Sequence, residues 1–165
     1  AKIKAACDAR RDKDFVIIAR SDACREQGYA EAVKRMRVAA EVGADMGLIF
    51  PRNHKETVNA PKQCKLPLVY VQSRGNRDKR PLYSNSQLND MGYAGCIDAI
   101  LAIGVQFHFM RKALLELKKT GDYTGMSQDE WITTRKDIET LIGLEDAYRI
   151  ERETVEKMYY KGRKK

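Results

Sequence analysis

The chain has 165 residues, 43% of them hydrophobic and 8% aromatic, with 31 Lys+Arg against 23 Asp+Glu and a formal charge of +8. That length suits one compact domain or a piece of a larger one. No apolar run approaches the ~20 residues of a membrane span, and the N-terminal Ala-Lys-Ile-Lys-Ala-Ala-Cys lacks the apolar core of a signal peptide.

Part of the basic excess sits in Lys161-Gly162-Arg163-Lys164-Lys165, and the rest is spread among acids. No basic stripe with interleaved aromatics appears, so a solvated surface or a small-anion site is expected rather than a nucleic-acid partner. Cys7, Cys24, Cys64 and Cys96 have no paired spacing. They read as reduced thiols of a cytoplasmic protein, not as a disulfide framework or a zinc site.

The first residues show a helical face of Ile3, Ala6 and Cys7. A five-residue apolar run, Phe-Val-Ile-Ile-Ala at 15–19, follows and leads straight into Arg20, Ser21 and Asp22. A short continuous run of this kind predicts a strand covered on both faces, as in a parallel sheet inside helices. A helix is expected over 30–42, with Val33, Met36 and Ala40 on one face and Gly43 as its stop. A second strand over 46–50 ends at Pro51-Arg52-Asn53-His54, and a short helix over 55–64 contains Pro61. A third strand over 68–72 ends at Ser73-Arg74-Gly75-Asn76. Ser84 and Gln87 form a capping-box pair for a short helix stopped by Gly92. A weaker fourth strand spans 95–100.

A long helix over 103–119 carries the apolar stripe Ile103, Phe107, Met110, Leu114 and Leu117. Ser127 and Glu130 form a second capping box, for a helix to about residue 142, and a charge-rich helix follows over about 144–160. Alternating strands and helices argue a parallel α/β fold. Two architectures fit, an open doubly wound sheet and half of a (β/α)8 barrel. No Gly-x-Gly-x-x-Gly or phosphate loop follows a strand, which weakens the nucleotide-binding version. A complete barrel needs ~250 residues.

In parallel sheets ligands bind beyond the carboxyl ends of the strands. Three consecutive strands deliver an arginine there: Arg20, Arg52 and Arg74. Converging guanidinium groups suit a carboxylate or phosphate, although each arginine has an acid within reach in sequence, as Arg20 has Asp22. Alternation places Ile18 and Val16 on the face of Arg20, with Ile17 and Ala19 against helices. His54 is an acid–base candidate or a surface histidine at a helix start. His108, beside Phe107, reads as a packed or interface histidine, and Trp131 with Tyr159-Tyr160 as packing or partner contacts. Ser73 lacks a His–Asp signature, so no nucleophile is assigned.

Lys2-Ile3-Lys4-Ala5-Ala6, Asp8-Ala9-Arg10 and the segment from Asp14 through Arg20-Ser21-Asp22-Ala23 resemble the central segment of the isocitrate lyase/phosphoenolpyruvate mutase superfamily. Tyr29-Ala30-Glu31-Ala32, Gly43-Ala44-Asp45-Met46, Ile49-Phe50-Pro51, Pro67-Leu68, Pro81-Leu82-Tyr83-Ser84 and Leu88 with Met91-Gly92-Tyr93 continue the likeness in order. It covers most of residues 1–125. The resemblance implies a (β/α)8 barrel that binds magnesium and small 2-oxo or 2-hydroxy acids and works through enolate-like intermediates. It also implies a tetramer with a swapped late helix, for which 103–119 is the candidate.

By this resemblance, residues 1–125 are the last four strands and helices of the barrel. Residues 126–165 are then a helical extension with a basic tail. Arg20 matches the family arginine that binds substrate carboxylate or phosphonate. Where carboxylic-acid lyases have Phe-Pro-Glu, this chain has Phe50-Pro51-Arg52; where they have Asn-x-Thr, it has Val71-Gln72-Ser73. The substrate-binding candidates are therefore Arg20, Arg52, Ser73 and Arg74, with His54 for acid–base work. No metal ligand is assigned, because the family's magnesium-binding acids and lyase cysteine belong to the first half of the barrel. The expected function is carbon–carbon lyase action on a di- or tricarboxylate, of methylisocitrate-lyase or dimethylmalate-lyase type. A phosphonomutase, an oxaloacetate-type hydrolase or decarboxylase, and a non-catalytic half-barrel module stay open. Expected partners are the small acid, further copies of the chain, and the missing N-terminal half-barrel.

Overall fold

The computed structural model describes residues 1–154. The basic tail, the Tyr159-Tyr160 pair and the end of the last expected helix lie outside the described residues. The chain divides into two compact units, Ala1–Phe107 and a second that begins at His108.

In the first unit α1 (Lys2–Ala9) leads to β1 (Ile18–Arg20), then α2 (Ala23–Glu26), α3 (Tyr29–Glu41) and β2 (Met46–Leu48). Next come α4 (His54–Gln63), β3 (Val69–Gln72), α5 (Asn85–Met91) and β4 (Gly95–Asp98). β1 pairs with β2 in parallel, Ala19 opposite Gly47. β3 pairs with β4 in parallel, Tyr70 opposite Cys96. A parallel bridge between Gly47 and Leu68, with Gly47 N–H donating to Pro67 O at 2.8 Å, joins the two ladders. Consecutive strands are therefore spatial neighbours throughout, all parallel.

The helices α3, α4 and α5 pack on one face of these strands. Ala19, Leu68 and Tyr70 meet Val33, Met36, Ala60, Cys64, Leu88 and Tyr93 in one buried cluster. Gly47 is required by this packing. A Cβ there would lie 2.8 Å from Met36 Sδ and 2.9 Å from Leu68 Cδ2. On the other face Ile18 and Arg20 are exposed, as are Val16 and Ile97. The expected alternation along β1 is present, since Ile17 and Ala19 are the buried members. The expectation of cover on both faces is corrected. Val16, on the open face with Ile18 and Arg20, is 54% exposed, and Phe15, which precedes the strand, is 66% exposed. The strand also starts later than the apolar run, at Ile18, and Arg20 is its last residue.

Local signals explain most helix ends. Ser84 and Gln87 form the reciprocal capping box of α5, and Gly92 closes it at φ +91°. α4 is capped by Asn53, whose side chain accepts from Glu56 N–H. Pro61 lies inside α4 and has no N–H for the Thr57 carbonyl. That carbonyl accepts the Tyr93 hydroxyl instead, at 3.0 Å. The helix therefore continues past Pro61 to Gln63 with that one backbone hydrogen bond missing.

α6 (Leu101–Thr120) spans the boundary between the units, and Asp98 Oδ1 accepts its Leu101 N–H at 3.1 Å. In the second unit α7 (Gln128–Leu141) starts at the Ser127–Glu130 capping box, and α8 (Leu144–Thr154) follows Gly143. Trp131 stacks edge-on against Tyr123, ring centroids 6.2 Å apart. The α6 stripe of Ile103, Phe107, Met110, Leu114 and Leu117 is exposed. His108, expected to be packed or at an interface, is also exposed on α6 and stacks edge-on against Phe109.

Candidate functional site at the strand ends

Arg20 closes β1, and its guanidinium lies 4.9 Å from the centroid of Phe50, which follows β2. Its Nη2 donates to Asp22 Oδ1 at 3.0 Å, in a pair whose side chains are 62% and 64% exposed. Such exposed pairs contribute about 0–1 kcal/mol, so Arg20 remains available to another anion. Arg52 lies 3.8 Å from Asp78 Oδ2 and donates its backbone N–H to Glu56 Oε2. Arg74 donates from Nε to Asp98 Oδ2 at 3.1 Å. The sheet thus brings the three arginines to the carboxyl ends of adjacent strands, each held by a different acid. Only the Asp22 partner was named from sequence.

His54 opens α4, and its Nδ1 lies 3.0 Å from the Tyr83 hydroxyl. Tyr83 is fixed in turn by buried Gln72, whose amide pairs with both its N–H and its C=O. Ser73 contributes its carbonyl to Asn76. Tyr70 stacks edge-on with Tyr83 and Tyr93, and its hydroxyl donates to Pro81 O at 2.6 Å. Burial pushes the phenols of Tyr70 and Tyr93 up, so both stay protonated donors at neutral pH.

One residue of this region escaped sequence reasoning. Arg80 is 8% exposed and lies in the loop between β3 and α5. Its guanidinium sits 5.0 Å from the Phe50 centroid, and Nη1 donates to Val71 O at 3.4 Å. In sequence it belongs to the run Arg77-Asp78-Lys79-Arg80, which looks like any solvated charged loop. No local signal separates it from its neighbours.

A cavity of about 640 Å³ adjoins Arg20 on the flank of β1, lined by α1 and α3 and including Lys4, Ser21, Asp22 and Met36. It does not reach Arg52 or Arg74. Among the described residues no three His, Cys, Asp or Glu side chains converge as a metal site. The acids at the strand ends are engaged elsewhere, Asp22, Asp78 and Asp98 by arginines and Glu56 by the Arg52 and Asn53 nitrogens. These residues do not fit a magnesium site. All four cysteines are free thiols. Burial raises the thiols of Cys24 and Cys64, the latter to about 11, so neither is an activated nucleophile. Among the described residues no helix is long and apolar enough to cross a membrane.

The chain is 31% identical over 153 residues to a 2,3-dimethylmalate lyase of Eubacterium barkeri, covering 91% of the chain and 51% of that protein. Its fold is similar to an oxaloacetate acetylhydrolase solved with 3,3-difluorooxalacetate, with a TM-score of 0.78, 26% identity and coverage of 92% and 50%. It is also similar to a phosphonopyruvate hydrolase, with a TM-score of 0.74, 28% identity and coverage of 93% and 54%. The chain thus spans about half the length of these relatives. The family model described as phosphoenolpyruvate phosphomutase matches residues 1–118. By this match and its parallel α/β fold, the chain belongs to this family, within the isocitrate lyase/phosphoenolpyruvate mutase superfamily.

Proposed function

We propose that the chain is the C-terminal half of a (β/α)8 enzyme that cleaves a carbon–carbon bond of a small 2-hydroxy or 2-oxo di- or tricarboxylate. The strand order supports this reading most directly. A doubly wound sheet reverses its order at a switch point, whereas here each strand lies beside its predecessor, all parallel, as in one sector of a barrel. On this reading residues 1–125 form the half-barrel and the helices beyond form an extension. The exposed face of Ile18 and Arg20 is the barrel interior, to be closed by an N-terminal half. The α6 stripe is the surface for a second copy.

Arg20 binds a substrate carboxylate, with Arg52, Ser73 and Arg74 as further ligands and His54, steadied by Tyr83, as the acid–base candidate. For a 2-hydroxy acid, the acid–base group takes the hydroxyl proton, the carbinol becomes a carbonyl as the C–C bond breaks, and the bonding pair moves to the carbon beside a carboxylate. A guanidinium on that carboxylate stabilises the added charge. Any magnesium ligands come from outside the described residues. The arginine at position 52, where the lyases carry glutamate, favours a second reading within the family, cleavage of oxaloacetate or a phosphonate.

The test compares this chain with a version extended upstream of Ala1. Each is offered 2,3-dimethylmalate, 2-methylisocitrate, oxaloacetate and phosphonopyruvate with magnesium. Turnover by the extended protein alone is the expected result. Turnover by neither favours a non-catalytic assembly module. In the active protein, Arg20→Ala lowers kcat/KM about 10- to 100-fold, the worth of a charge-assisted pair of hydrogen bonds. An unchanged rate removes Arg20 from the site.

A further inference from the structure

We propose that Arg80 is a second anion-binding residue at the strand ends, set with Arg20 around Phe50 to take the second acidic group of a doubly charged small acid. The inference rests on the strand-end site described under the proposed function and adds a residue to it.

Arg80 is the one charged side chain among the buried residues described. The carboxylates nearby are committed to Arg20, Arg52 and Arg74, and no described acid lies within ion-pair distance of Arg80. A buried cation without a counter-ion is costly. The cost is met in part by the Phe50 ring and by Val71 O. No fully buried side-chain nitrogen among the described residues lacks a partner. The guanidinium nitrogens of Arg80 that have no protein partner are therefore not fully closed off from solvent.

The position is built rather than fortuitous. The Asn76 amide grips the backbone of Arg80 on both sides, Oδ1 accepting Arg80 N–H at 2.7 Å and Nδ2 donating to Arg80 O at 3.2 Å. Lys79 adopts φ +53° to bring Arg80 there. Arg20 and Arg80 approach the same ring, at 4.9 and 5.0 Å, from the end of β1 and from the loop between β3 and α5. Two cations on one apolar ring match an acid with two anionic ends. The exposed Arg20–Asp22 pair yields readily to a ligand carboxylate.

Calorimetric titration of the chain at low ionic strength with malonate, phosphonoacetate and acetate tests the proposal. Arg80→Met is expected to weaken malonate about tenfold while leaving acetate within about twofold. Arg80→Lys, which keeps the charge and loses the planar fork, falls between. A larger loss for phosphonoacetate than for malonate assigns the second group as phosphonate; equal losses assign a carboxylate. A folded Arg80→Met that binds malonate like the parent overturns the proposal and leaves Arg80 a structural clamp on Phe50. If Arg80→Met does not fold, an unchanged malonate affinity in Arg80→Lys overturns it equally. Loss of acetate and malonate together in Arg20→Met upholds the underlying site, so that failure of Arg80 alone is distinguishable. No dianion binding by the parent chain overturns the proposal for Arg80, while the turnover test of the extended protein decides the underlying site separately.

Discussion

Asp45 is held below the usual carboxylate range, first because its Oδ2 accepts the Ile17 N–H at 2.8 Å and then because Arg10 lies 2.6 Å away. Its folded pKa is depressed, so its contribution to stability is complete above the unfolded value of about 3.9 and is lost as pH falls through the lower folded value. Asp45→Asn keeps an acceptor for Ile17 and loses the charge opposite Arg10. We expect a lower thermal midpoint than the parent at pH 7, the gap closing as pH falls below about 4; a gap constant with pH would refute it. The place of Arg20 at the end of β1 was legible in sequence because an apolar run leads straight to it. Arg80 was not, because its burial is set by Phe50 and Val71, residues 30 and 9 positions away.

At the scale of elements, capping chemistry read from sequence matched well. Both Ser-based capping boxes formed, because they need only residues three apart. Strand limits moved by up to three residues, since pairing partners rather than apolar runs define them. The Pro61–Tyr93 relation was invisible in sequence, as it joins α4 to the turn after α5. Tyr93→Phe leaves the Thr57 carbonyl without its hydroxyl and should cost about 1 kcal/mol in denaturant unfolding. A null effect would mean water replaces the bond. Gly47→Ala places a methyl within 3 Å of Met36 and Leu68 and should cost about 1–3 kcal/mol by the same measurement. Wild-type stability would show that α3 yields freely.

At the scale of the whole molecule, β1 and β4 each pair on one side only among the described residues, and apolar residues lie open beside them. Unpaired edges promote association. Sedimentation velocity of the chain should show mass rising with concentration, and an added N-terminal half-barrel in trans should suppress it. A monomer at every concentration would contradict this. The sequence by itself determined what neighbouring residues decide: the helix caps, the alternation of strands and helices, and the arginines at strand ends. Only the tertiary structure decided the strand order, the acids that hold Arg52 and Arg74, the open face of β1 and the burial of Arg80. Those depend on groups brought together from distant points of the chain, where no local spacing carries the information.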